Sequence, residues 1–191
     1  MLHLARRLGL LLRLALAPLL FAFLSLPAFA GEAEDKAALD QLFAQLLVAP
    51  DAETAEQIDQ RIWAYWINPT DPILAGRMRD IMSARSMGDP LGAIKLLDQL
   101  VTDYPDYAEG WNQRATMYYA VGNYEQSIAD CAKVLELEPR HFGALSGRAL
   151  MYLSLGKRAL ALKDMATALA IHPFLNERKL FPELLHDVTH V

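Results

Sequence analysis

Sliding the chain along itself by 34 residues brings several sets of side chains into register. Gly88, Gly122 and Gly156 coincide, as do Pro105, Pro139 and Pro173. Ala93, Ser127 and Ala161 are small at one phase, and Leu100, Val134 and Ala168 are apolar at another. Arg114-Ala115-x2-Tyr118 returns as Arg148-Ala149-x2-Tyr152. A fixed period of this length restricts the fold strongly, because one such unit cannot bury its own apolar face and must stack on its neighbours. Within a unit, Trp111, Ala115 and Tyr118, then Ile128, Cys131 and Leu135, fall at helical intervals. Gly122 stands between the two segments, where a helix end calls for positive φ. Asp89-Pro90 offers an N-cap followed by a first-turn proline, and Asn123 takes the cap position one unit later. The recurring prolines stop each second helix.

These residues resemble the tetratricopeptide repeat, whose pattern runs W-x2-L-G-x2-Y, A-x3-F and P. Residues 108–141 match it as Trp111-x2-Arg114-Ala115-x2-Tyr118, Ser127-x3-Cys131 and Pro139. Residues 142–175 give Leu145-x2-Arg148-Ala149-x2-Tyr152, Ala161-x3-Met165 and Pro173. Residues 74–107 keep Ala93-x3-Leu97 and Pro105 but carry Arg77, Asp80 and Ala84 in the first helix. The resemblance implies an all-α fold, a right-handed α-solenoid of antiparallel helix pairs, with repeats at 74–107, 108–141 and 142–175. Residues 31–73 hold another helix pair, 37–48 and 52–67, outside the 34-residue register. It is expected to act as a diverged N-terminal cap. Residues 176–191 are expected to form a C-terminal capping helix and tail over the apolar end of the last repeat.

Residues 1–30 have the pattern of a secretory signal. Arg6, Arg7 and Arg13 precede or open an apolar run to Leu24, and Ala28 and Ala30 form an A-x-A ending. Cleavage after Ala30 and a periplasmic or secreted location are the expectation, with no membrane insertion thereafter. Residues 31–191 carry 15 Lys and Arg against 23 Asp and Glu, a net charge of −8. That balance disfavours nucleic acid and anionic lipid as partners. With one cysteine, Cys131, no internal disulfide is available.

Motifs that carry chemistry are few. His186-Asp-Val-Thr-His190 is similar in spacing to H-E-x-x-H, but Asp187 replaces the glutamate base and no third ligand follows. Cys131 occupies a phase that is apolar in the other repeats, so a buried thiol is expected rather than a nucleophile. Neither G-x-S-x-G nor G-x-G-x-x-G occurs. No enzyme activity, cofactor or metal site is therefore expected. His141 and His172 are read as loop residues, and Asp98, Asp130 and Asp164 as outward-facing charge. Arg114 and Arg148 are expected to meet carboxylates across the helix layer, and Tyr118 and Tyr152 to pack between helices.

In proteins with this repeat the first helices line a concave groove. Carried over, the resemblance implies a wall of Met78, Met82 and Arg85, then Asn112, Thr116 and Tyr119, then Ser146, Leu150 and Leu153. Only Asn112 and Arg85 are similar to the family's carboxylate-clamping set. The wall is otherwise apolar, suited to an apolar or amphipathic segment of a partner protein. The expected function is a non-catalytic interaction scaffold or adaptor in the cell envelope. The alternative is a regulatory or substrate-presenting subunit of an envelope enzyme complex.

Overall fold

The computed structural model describes the backbone of residues 27–184 and the side chains of residues 35–184. The proposed signal therefore lies largely outside the described residues, and the 186–190 histidine pair wholly so. Among the described residues eight α-helices follow one another: α1 Pro27–Leu47, α2 Ala52–Ile67, α3 Pro72–Ser86, α4 Pro90–Asp103, α5 Ala108–Ala120, α6 Tyr124–Leu137, α7 Phe142–Ser154 and α8 Arg158–Ile171. No helix among the described residues is long and apolar enough to cross a membrane. The pairs α3–α4, α5–α6 and α7–α8 occupy the three 34-residue units.

Local chemistry sets the helix ends. Asp51, Asp71 and Asp89 accept N–H bonds of 2.8 Å from Thr54, Leu74 and Gly92. Asn123 holds the equivalent position but makes no such bond. Between the helices of each unit, Gly88, Gly122 and Gly156 have φ of 72°, 76° and 70°. The following N–H then reaches back five residues, as from Asn123 to the Tyr118 carbonyl at 2.8 Å. A Cβ at Gly122 would meet nothing within 4 Å, so the backbone angle alone demands glycine there. Gly122→Ala should lower stability by about 1 kcal/mol with helicity kept. An unchanged urea midpoint would contradict that.

Small residues let the paired helices close on each other. Ala93, Ser127 and Ala161 are fully buried, and the Ser127 hydroxyl donates to the Ala115 carbonyl at 2.6 Å. Ionic pairs repeat with the same period. Arg114 donates to both carboxylate oxygens of Asp130 at 2.8 Å, and Arg148 to those of Asp164 at 2.6 and 2.9 Å. Asp130 and Asp164 are buried, so the outward-facing reading fails for both; the guanidinium fork makes their burial tolerable. Asp98 is exposed as expected and accepts a hydrogen bond from Arg114 of the next unit at 2.9 Å. Position 80, where the first unit would need arginine, is aspartate. Tyr118 is only half-buried and lies beside the Arg114 guanidinium rather than in the core.

The helix pair α1–α2 does not extend the stack ahead of α3. Its buried face, Leu42, Phe43, Leu46, Ala55, Ile58, Ile62 and Trp66, shares one core with Phe142, Leu145, Ala149, Met165 and Phe181 of the third unit and the C-terminal segment. The units α3–α4 and α5–α6 centre on separate clusters. The cap expectation is corrected accordingly: α1 packs on α8, and α2 on α5 and α7. Aromatic bulk explains the choice, because Phe43, Trp63 and Trp66 converge on Phe142, which only the third unit supplies. Arg140 fastens α1 further, donating to Asp40 at 2.6 Å and lying 4.2 Å over the Phe43 ring.

After Pro173 the described residues form two 3-10 turns, Asn176–Leu180 and Pro182–Leu184, and the rest of the expected capping segment, 185–191, lies outside them. Pro182 removes the N–H that a continuous helix would need. Phe181 nevertheless plugs the core completely, and Arg158 forks onto Glu183 at 2.6–3.1 Å.

Candidate functional site between α2, α5 and α7

Helix α2 lies along the face of α5 and α7 that the repeat pattern turns inward. Its Trp63 sits so close to α7 that a Cβ on Gly143 would fall 2.7 Å from the indole. Trp66 stacks on the His141 ring, centroids 4.0 Å apart and planes 9° from parallel. The Tyr107 hydroxyl donates to the Trp66 carbonyl at 2.5 Å, tying the end of α2 to the start of α5. His141 stands in the loop before α7, as expected, but is wholly buried there. Its Nδ1 accepts the Ala144 N–H at 3.1 Å, which leaves Nε2 protonated to donate to Glu109 at 3.1 Å. Glu109 also accepts from Asn112 at 3.0 Å and from Gln113. Gln113 in turn accepts from Arg85 at 2.8 Å. This buried carboxylate is thus supported by neutral donors on three sides.

Two cavities remain on this face. One, of about 140 Å³, is bounded by Asn112, Thr116, Tyr119, Gly143, Gly147 and Leu150, with Cys131 and Met151 behind. The other, of about 350 Å³, shares Asn112, Thr116, Gly143, Gly147 and Leu150 and adds Glu56, Asp59, Trp63, Phe142, Ser146, His172 and residues 174–177. Gly147 opens onto free space, with nothing within 4 Å of a built Cβ. Burial pushes the Cys131 thiol up to about 12, in keeping with a packed apolar role.

Two titratable groups of the larger cavity are displaced in opposite directions. Burial, then the charges of Glu56 and Glu177, raise the Asp59 carboxyl to about 6, with the Trp63 indole offsetting part of the effect. Burial lowers His172 to about 4, and its Nδ1 accepts the Phe174 N–H at 3.3 Å. Asp59 holds its proton more tightly folded than unfolded, so its contribution to stability declines as pH rises from about 3.8 to about 6. His172 holds its proton less tightly folded, so its contribution is complete above pH 6.5 and is lost as pH falls toward 4. The two slopes oppose each other across one window. Asp59→Asn should therefore expose a loss of stability between pH 6.5 and 4.5, and His172→Gln a gain, each about 1 kcal/mol. Urea midpoints at the two pH values check this; identical pH profiles for the variants and the parent would contradict it.

The family model for the tetratricopeptide repeat matches residues 108–141, the second of the three units. A TPR repeat-containing protein of Rhizobium etli is 38% identical over 138 residues, spanning 72% of this chain and 68% of that protein. The chain belongs to the tetratricopeptide-repeat family. Solved structures agree on the fold. The first TPR domain of Spaghetti (RPAP3), bound to the HSP90 peptide SRMEEVD, superposes with a TM-score of 0.57 at 18% identity. That likeness covers 65% of this chain and 99% of the other. The TPR2AB domain of yeast Sti1, in complex with an HSP90 peptide, gives 0.52 at 17% identity over 84% of this chain and 64% of that one.

Within this TPR array, the expected groove residues divide. Asn112, Thr116, Tyr119 and Leu150 come together around the smaller cavity, and Ser146 joins Asn112, Thr116 and Leu150 at the larger one. Met78 does not take part: with Leu74 and Ile81 it fills the core of the first unit. Arg85 is spent on Gln113, Leu153 packs on the core shared with α1–α2, and Met82 is half-buried; none of these lines either cavity. The repeat pattern could not indicate Glu56, Asp59 and Glu177, since it says nothing about where α2 and the C-terminal turns dock. One local signal existed. Asp59 stands four residues before Trp63 on α2, beside the Ala55, Ile58, Ile62, Trp66 stripe, a poor place for an unpaired carboxylate.

Proposed function

We propose that this TPR protein is a non-catalytic interaction scaffold, an adaptor that holds an apolar or amphipathic segment of a partner protein between α5 and α7. One observation carries the reading: α2 occupies part of the inward face yet leaves the α5–α7 seam open, with Tyr119, Leu150 and Gly147 at its edge. The seam is narrow, and it suits an extended segment better than a whole helix. Of the solved structures with this fold, the first TPR of Spaghetti (RPAP3) is bound to the HSP90 peptide SRMEEVD. Here the acidic side chains beside the seam disfavour so acidic a peptide. A cell-envelope location is part of the proposal, supported by the basic, apolar and A-x-A sequence of residues 1–30. Mass spectrometry of exported protein should find Gly31 at the N-terminus.

Tyr119 supplies the test of the seam. It is 43% exposed, its ring lies tilted 5.6 Å from that of Tyr124, and no core cluster includes it. A photo-crosslinker at Thr116 would capture the partner segment, whose affinity can then be measured. Tyr119→Ala should weaken it about tenfold or more with melting nearly unchanged. Equal affinity for parent and variant would sink the seam reading.

A further inference from the structure

We propose that the cleft between α1 and the loop edge of the first two repeat units is a second docking surface, where a partner protein lays an amphipathic helix whose apolar side is flanked by lysine or arginine. The surface is separate from the α5–α7 seam: no residue lines both this cleft and either seam cavity. It exists because α1–α2 packs on α5, α7 and α8 instead of ahead of α3. Helix α1 and the ends of α2, α4 and α6 then bound a space of about 960 Å³, against about 350 Å³ for the larger seam cavity. Leu39, Tyr65, Trp66, Leu74 and Tyr104 give it apolar walls. Tyr65 is 41% exposed and belongs to no core cluster, so packing does not account for an aromatic ring at that place on α2. A cleft of this size between helices admits several large side chains at once, as the apolar stripe of a helix presents them.

Charge decides the rest of the partner's chemistry. Six carboxylates line the cleft against two cations, Lys36 and Arg140. Arg140 is already held by Asp40 and Glu138. Asp35 and Asp106 form no ion pair among the described residues. Backbone dipoles add to this field independently of the side chains. Asn68, Tyr104 and Glu138, the C-caps of α2, α4 and α6, all line the cleft, so three negative helix ends meet there. None of these helices has a basic residue in its last turn. The positive ends of α3 and α5 also reach the cleft, but Asp71 caps the first and Glu109 stands in the first turn of the second. The positive poles are therefore answered within the chain, and the negative poles are not. Lysine or arginine beside the partner's apolar stripe supplies the missing charge, whereas an acidic helix of the same apolar content is repelled.

The experiment follows fluorescence anisotropy of labelled, capped peptides of about 14 residues, nearly four helical turns, titrated with the full chain. Three peptides share one amphipathic pattern: leucine with lysine, leucine with glutamate, and serine with lysine. The leucine–lysine peptide should bind, and each of the others at least about tenfold more weakly. Tyr65→Ser and Asp106→Lys should each reduce leucine–lysine affinity several-fold, with circular dichroism showing an intact fold. The two changes lie on α2 and on the α4–α5 loop, so misfolding of one leaves the other to decide. Tyr119→Ala, in the seam, should leave this affinity unchanged. No binding by the leucine–lysine peptide, or affinity indifferent to both cleft variants, overturns the proposal. Equal binding of the glutamate peptide removes the charge argument and overturns it, and equal binding of the serine peptide does so by reducing the cleft to a bare acidic surface. A loss on Tyr119→Ala as large as that on Tyr65→Ser also overturns it, by placing the helix in the seam.

Discussion

Phe142→Ala should cost about 4 kcal/mol and loosen α1–α2 from the rest of the protein. Phe142 is 2% exposed and touches four aromatic partners. Its ring centroid lies 6.4 Å from Phe43, 5.9 Å from Trp63, 5.3 Å from Trp66 and 5.2 Å from His172. Two of these come from α2, one from α1 and one from the end of α8. Truncation therefore removes the group on which four rings from three other elements converge, and the rigid neighbours cannot collapse into the space. The loss should appear in the urea midpoint and in a red shift of Trp63 and Trp66 fluorescence as water reaches them. Phe142→Leu should lose about half as much. A loss below about 1 kcal/mol for the alanine variant would mean that α1–α2 is not seated on the third unit.

Arg148→Ala should be comparably damaging, at about 3 kcal/mol, for an electrostatic reason. Asp164 is 8% exposed at its side chain and has no other cation within reach among the described residues. Removing Arg148 leaves a carboxylate that must stay charged without a partner or take up a proton. The double replacement Arg148→Met with Asp164→Leu should recover most of the loss, since the pair is costly to break and far less costly to replace. Arg158→Ala is the control: it faces an equally well-formed fork on Glu183, but both side chains are 41–50% exposed, so the change should stay within about 1 kcal/mol. Equal losses at Arg148 and Arg158 would show that burial is not what gives the repeated pairs their weight.

The repeats were legible because their signals are local. Gly88, Gly122 and Gly156 mark turns through the backbone angle they alone tolerate, and Pro105, Pro139 and Pro173 end helices through a missing donor. Neither depends on distant parts of the chain. The arginine–aspartate pairs were half legible: the 34-residue recurrence identified the arginines as paired, but whether Asp130 and Asp164 face water depends on helix rotation. Docking of α1–α2 was not legible. Trp63 and Trp66 announce burial without naming the surface, and Gly143, which makes room for Trp63, reads in sequence as one more small residue. The candidate site inherits this division. Asn112, Thr116 and Tyr119 follow from the repeat phase, whereas Asp59 and Glu177 belong to the cavity only because non-repeating segments fold onto the last unit.

That closure alters what kind of object the array is. An open stack of repeats frays from its ends and tolerates copies being added or removed, since each unit answers only to its neighbours. Here the first two helices and the last unit bury one another, and Arg140 reaches Asp40 across 100 residues of sequence. Neither α1–α2 nor the last unit can loosen without exposing the other, so unfolding is expected to be all-or-none, and folding slowed by the long loop that must close before the shared core rewards it. Closure also fixes the copy number. A fourth unit inserted between α6 and α7 would carry Phe142 away from Trp66, so lineages with this fold can vary their repeats in sequence far more easily than in number.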